Sequence, residues 1–439
     1  MPIATPRRVV ITGLGLISPL GNTVESFWDA LTTGRSGVRA TETLPADLLQ
    51  MPWAAEAREF TGDIADFGPL DKDQTRAIRK GIKVMCREIQ MGVAAAQRAL
   101  ADAGLRAGAF DVERTGVVFG CDYVLSGPDE FVDAMANCLD DKRQFDFQRW
   151  AREGIPRITP LWLLKYLPNM PASHIAIYND LRGPSNSLTM REASSLLALA
   201  EASRLIARRA ADVIVAGATG TRVHPLRTLH VVLQEEIART GDDPSRVCRP
   251  FDLHRTGMVL GEGAGAVVLE SLETAQARGA QILAEVVGSG SSAAMDTHGV
   301  GDLRAAIRSA LRQTLRSAGM DPADVGHVHA HGLSTRRSDA AESQAIQEVL
   351  GARSTPVPVT AAKSYLGNPG AAGGVIELIA SVLALQHNRL FPVLNYETPD
   401  PQCPVHVVAS ADVPPGDAFL SISVTPTGQA SSLAVRRFI

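Results

Sequence analysis

The stretch that most constrains this chain runs from Gly183 to Ser195, Gly-Pro-Ser-Asn-Ser-Leu-Thr-Met-Arg-Glu-Ala-Ser-Ser, and continues into the apolar helical pattern Leu196 to Arg209. A Gly-Pro turn, a short segment and a tight bend lead into the N-terminus of a helix. A fold uses such an elbow to display a nucleophile or to bind an anion. The residue at the bend is Glu192, so the geometry of an elbow is written here with a carboxylate in place of the usual thiol or hydroxyl.

Around the elbow the sequence alternates strands and helices. Val9 to Ile17 is a buried strand broken by Gly13 and Gly15. Its Gly-x-Gly lacks the third glycine and trailing acid of a nucleotide fingerprint, which favours a packed strand end. Further apolar strands are expected at 117–120, 212–218, 261–270, 284–290 and 327–330. Helices are expected at 25–33, 89–100, 303–318, 340–350 and 375–385, with closing strands in 418–439. The first half implies a parallel α/β scheme. Residues 41–75 are polar and aperiodic, which predicts a surface excursion. Residues 122–155 are charged and irregular, with Phe131, Phe145, Phe147 and Trp150 as apolar anchors of a cap or dimer-contact region. The second half restarts at Ala284 much as the first began, so two α/β halves are expected, 1–275 and 276–439.

A net charge of -4 gives no electrostatic case for nucleic acid or an anionic membrane as partner. The five cysteines, Cys86, Cys121, Cys138, Cys248 and Cys403, form no CxxC and no metal-ligand spacing, as expected of a reduced intracellular protein with no bound metal. The first residues carry no apolar signal core, and no run of about 18 apolar residues is apparent. A cytoplasmic location is expected.

Several motifs occur together and in order: Val9 to Gly15, Ile158-Thr159-Pro160, Pro168-Asn169-Met170 with His174, Leu181-Arg182-Gly183-Pro184, Arg249-Pro250-Phe251-Asp252, Gly261 to Gly265, Ala330-His331-Gly332, Lys363-Ser364 and Asn395 to Pro401. This series resembles the β-ketoacyl-acyl-carrier-protein synthases of the thiolase fold over almost the whole chain. The resemblance implies an α/β, five-layered α-β-α-β-α architecture with duplicated halves and a homodimer or heterodimer. It also implies acyl chains delivered on the phosphopantetheine arm of an acyl carrier protein, with no other cofactor.

In such synthases a Cys at the helix N-terminus is acylated, and two His, or a His and an Asn, stabilise the enolate formed when a malonyl thioester loses CO2. Here Glu192 takes the place of that Cys, with Arg191 where a small residue is usual. His331 matches the first histidine, and Asn368 replaces the second, as in the branches that use Asn. Lys363 retains the family's charged organiser, for which Glu342 or Glu192 is the expected partner. Leu333 replaces a Thr whose hydroxyl contacts pantetheine, next to Thr335. The glycine-rich gate near the C-terminus becomes Thr425-Pro426-Thr427-Gly428, which implies loss of the mobile Phe gate. Cys121 ends a strand that lies near the family's acyl pocket, and His329 is expected to be a packed neighbour of His331.

The resemblance leaves four functions open. The chain resembles the chain-length factors that lack the Cys and pair with a Cys-bearing ketosynthase. Alternatively, it decarboxylates a malonyl carrier, against which two anions about 4 Å apart at an effective dielectric near 20 repel by roughly 4 kcal/mol. A third reading makes Glu192 a general base for another acyl-thioester reaction with His331 and Asn368. The fourth is a structural or sensory binding protein in which Glu192 satisfies the helix N-terminus.

Overall fold

The computed structural model describes residues 6–45, 51–106, 108–239 and 241–439. Eleven strands form one hydrogen-bonded sheet: β1 (Val9–Ile17), β2 (Thr115–Gly120), β3 (Ser185–Leu188), β4 (Val213–Thr221), β5 (Glu262–Ser271), β6 (Ala284–Ala293), β7 (His327–His329), β8 (Pro358–Thr360), β9 (His406–Val407), β10 (Ala418–Val424) and β11 (Gln429–Arg436). Their order is β9-β8-β7-β10-β11-β6-β1-β5-β4-β2-β3. The halves join where Val9, Val10 and Ile11 of β1 pair with β6.

The helices that matter for the site are α1 (Arg87–Asp102), α2 (Met170–Asn179), α3 (Ser194–Ala207), α4 (Pro225–Gln234), α5 (Leu303–Ala318), α6 (Arg336–Leu350) and α7 (Gly373–His387). α1 and α2 cover the outer face of the first half-sheet. α3 and α7 lie between the halves, and α5, with α6 against it, covers the outer face of the second. Five layers result, as expected.

The first half is not purely parallel. β2 runs parallel to β3 and β4, but β5 is antiparallel to both β4 and β1. The long excursion between β4 and β5 allows the chain to re-enter from the opposite end, which a short Gly-rich turn did not reveal. The glycines of β1 serve packing: a Cβ on Gly13 would lie 2.7 Å from the backbone nitrogen of Ala103. They let α1 approach the strand closely, as the reading of a packed strand end required.

Residues 41–75 depart from a surface excursion, although 46–50 lie outside the described residues. Trp53–Ala54 pairs with Arg39–Ala40, and Met51, Ala55, Ala57, Phe60 and Phe67 are buried. These side chains fill separate hollows in three core clusters, so no single period links them. In the 122–155 region Phe131 packs edge-on against Trp162 and Phe145 lies tilted against Trp150, whereas Phe147 is 76% exposed.

By length and composition Gly370–His387 is apolar enough to cross a membrane, contrary to the expectation that no such run exists, but it is 89% buried as the central core helix. Its first turn is tight at Gly374. A Cβ there would lie 2.5 Å from Ser195 Oγ and 2.6 Å from Ser423 Oγ, both fully buried. Gly374→Ala is therefore expected to cost about 1–3 kcal/mol through overpacking, despite the better helix propensity of Ala. A lowered midpoint of urea unfolding at unchanged slope checks this.

Candidate active site

The sharp turn of the elbow falls on Arg191, a non-glycine residue at φ +49°. It places Glu192 inside the protein at the head of the short turn Arg191–Ala193, which leads into α3. Met190 N–H donates to Ser194 Oγ at 2.7 Å and Ala193 N–H to Met190 O at 3.1 Å, so the turn is closed by its own groups.

Glu192 is 1% exposed and is held by cations. Arg222, itself buried, pairs with Glu192 Oε1, and Arg191 Nε lies 3.6 Å from Oε2. Asn368 Nδ2 donates to Oε1 at 3.3 Å. Burial would raise the carboxyl's pKa, but the guanidiniums of Arg222 and Arg191, with its own N–H and Asn368, hold it below the ordinary carboxylate range. Glu235, at the end of α4, completes the cluster by pairing with Arg191 and, at 3.1 Å, with Arg222. Burial opposes the charge on Arg222, yet Glu192 and Glu235 raise its pKa. The product is a closed quartet of two carboxylates and two guanidiniums.

Beside it, Lys363 Nζ lies 3.2 Å from His331 Nδ1 and pairs with Glu377 of α7. An ammonium only donates, so Nδ1 accepts and the ring proton sits on Nε2. Burial, then Lys363 and Arg222, keep His331 well below its ordinary pKa and hence neutral. His331 Nε2 is buried with no partner among the described residues, as is Glu192 Oε2 apart from the nearby Arg191 charge. The expected pairing of Lys363 with Glu342 or Glu192 is not formed. Glu342 instead accepts the N–H groups of His331 at 2.6 Å and Gly332 at 2.9 Å, and burial lifts its pKa to about 8. His329 is a packed neighbour: Nδ1 meets Ser381 Oγ at 2.7 Å and Nε2 accepts Ala362 N–H at 3.2 Å.

The expected pocket residues separate into two groups. Leu333, Thr335 and Pro426 line a cavity of about 200 Å³ together with Glu235, Glu236 and Arg337. Thr335 also caps α6 by accepting Ser338 N–H at 3.3 Å. Thr425 and Gly428 instead close the β10–β11 hairpin, with Gly428 at φ +84° donating to Thr425 O at 3.1 Å. Glu192, His331, Lys363 and Asn368 do not line the cavity. Glu235 does, and it is the residue that connects the cavity to the quartet beneath.

Arg222, Glu235 and Glu377 were missed from sequence. The signal available for Glu377 was a lone carboxylate inside the apolar run Val375 to Leu385, which calls for a buried cation. Cys121 is buried, and burial pushes its thiol far above the ordinary range, which disqualifies it as a relocated nucleophile. Among the described residues no group of three or more His, Cys, Asp or Glu could hold a metal.

Comparison with known proteins identifies the family and the fold. The N-terminal domain of β-ketoacyl synthases matches residues 6–275 and the C-terminal domain residues 283–397. A 3-oxoacyl-[acyl-carrier-protein] synthase 2 of Synechocystis sp. is 32% identical over 405 residues, 92% of this chain and 91% of that protein. The ishigamide ketosynthase/chain length factor superposes with a TM-score of 0.81 at 28% identity, over 99% of this chain and 100% of that one. A type II polyketide synthase acyl-carrier protein in complex with its ketosynthase, bound to the hexaketide, gives a TM-score of 0.80 at 26% identity, with 99% and 100% covered. The two domain matches, the relatives and the five-layered thiolase-like fold agree: the chain belongs to the β-ketoacyl synthase family.

Proposed function

We propose that this chain is a non-condensing member of the family in fatty-acid or polyketide biosynthesis. In this reading it is a cytoplasmic partner of chain-length-factor type that pairs with a Cys-bearing ketosynthase and meets acyl chains on a carrier protein's phosphopantetheine arm. The observation that carries it is Glu192, anionic and enclosed by Arg222 and Arg191 at the position of the nucleophile. Acyl transfer to that carboxylate would give an anhydride, a poor store for a growing chain, and the ion pairs make the carboxylate a still weaker nucleophile.

The surface supports the same reading. β3 ends the sheet with hydrogen bonds on one side only, and Leu161, Leu163, Met190 and Leu233 are exposed. An unpaired edge and exposed apolar side chains suit a protein partner. The helix Lys72–Gly81 and the turn after it expose Lys72, Arg76, Arg79, Lys80 and Lys83, none ion-paired among the described residues, a surface suited to an acidic carrier. The ishigamide protein, described as a ketosynthase/chain length factor, is consistent with the pairing.

The alternatives lose ground at the same atoms. Arg222 and Arg191 offset the repulsion that argued against malonyl decarboxylation, but Asn368's amide is committed to Glu192 rather than free for an enolate. A carboxylate held below its ordinary pKa is also a weak general base. Co-expression with a Cys-bearing homologue encoded nearby, followed by affinity purification and mass spectrometry, is expected to recover a 1:1 complex that takes up acylated carrier. A homodimer that alone releases CO2 from malonyl carrier would overturn the proposal.

A further inference from the structure

A second cavity, of about 450 Å³, lies between the basic helix Lys72–Gly81 and α1, on the outer side of the first half. Its apolar wall is Pro69, Leu70, Leu100, Ala101 and Leu105. Three amides also face this space, and two are already satisfied: Gln74 Nε2 donates to Asn179 Oδ1 at 3.0 Å, and Asn179 Nδ2 to Ile175 O at 2.9 Å. The third, Gln97 of α1, is 3% exposed, and its Nε2 has no hydrogen-bond partner among the described residues. A buried donor left unmade is costly, so an acceptor brought by a ligand is favoured there. Among the described residues the charged side chains lining the cavity are Arg106 and Asp71. Arg106 is exposed and has no ion-pair partner among the described residues. The Asp71 carboxylate already caps its helix, accepting Asp73 N–H at 2.9 Å and Gln74 N–H at 2.8 Å.

We propose that this cavity binds a small amphiphilic carboxylate, whose apolar chain lies along Leu70, Leu100 and Leu105 and whose carboxylate is taken by Arg106 and Gln97. The volume is within the range of small-molecule sites and has room for a medium-length chain. The inference is independent of how Glu192 acts, because the cavity shares no residue with the elbow.

Calorimetric titration of the intact protein with octanoate tests it. Saturable binding of one equivalent is expected, weakened about tenfold or more by Arg106→Gln and by Gln97→Leu, since each removes one donor to a charged acceptor. 1-Octanol is expected to bind at least about tenfold more weakly than octanoate, for the same reason. Circular dichroism of each variant confirms folding. Absence of saturable binding, equal affinity for octanol, or octanoate affinity unchanged in the folded Arg106 and Gln97 variants would each overturn the proposal.

Discussion

Replacing Glu192 with Ala is expected to lower folding stability by about 3–5 kcal/mol, because it strands the buried guanidinium of Arg222. Glu235 remains 3.1 Å from Arg222, which places the expected loss toward the lower end of that range. Denaturant unfolding monitored by two probes reads it directly. The cost belongs to the uncompensated charge and not to the pair as such. A Glu192→Leu, Arg222→Met double substitution is therefore expected to recover most of it, giving a coupling energy that simple additivity would not produce. If each single substitution costs under about 1 kcal/mol, the quartet does not hold the elbow in place.

The same pair sets an acid limit. Glu192 titrates below its ordinary value of 4.5 in the folded chain. Its contribution is present above that value and is lost as the pH falls through the folded pKa. The stability gap between the protein and Glu192→Gln, measured from pH 7 downward, is therefore expected to stay constant to near pH 5 and then narrow. A gap that widens on acidification would mean the carboxyl is protonated in the fold.

The frame of this site was legible in the sequence because it rests on local rules. A Gly-Pro turn before an apolar helix specifies an elbow, and Glu192 at its bend signals that ordinary condensation is not its task. The elbow's strain falls one residue earlier, on Arg191, where a positive φ is carried by a long cation whose side chain contributes to the lock. Arg222 was not legible. β4 was expected to stop at residue 218 but runs to Thr221, and those extra residues carry Arg222 to the elbow. Long-range ion pairs leave no periodic trace: the resemblance points Lys363 to Glu342 or Glu192, whereas Glu377 is its partner. Residues 41–75 were misplaced for a related reason: an irregular segment can be buried piecemeal without displaying a face.

Within the proposed complex, substituting the partner ketosynthase's nucleophilic Cys by Ala is expected to lower product formation by about a thousandfold or more, whereas Glu192→Gln in this chain is expected to change it by less than about threefold. The contrast follows from where a covalent intermediate can form. A thioester exchanged onto a thiolate is isoenergetic, but transfer onto the Glu192 carboxylate is uphill, and that carboxylate is engaged by Arg222, Arg191 and Asn368. Gln is the informative replacement, since its amide oxygen can still accept from Arg222 and keep the elbow filled while the charge is removed. Product quantified by mass spectrometry from carrier-bound substrates, with the chains held at equal amounts, measures both effects. A Glu192→Gln complex that remains assembled yet loses condensation as severely as the Cys variant would show that the carboxylate acts in the chemistry, and the non-condensing role would be abandoned. Persistence of activity in that variant, together with its loss on removing the partner's thiol, would place the reaction in the partner and leave this chain's elbow as a closed, structural copy of the site.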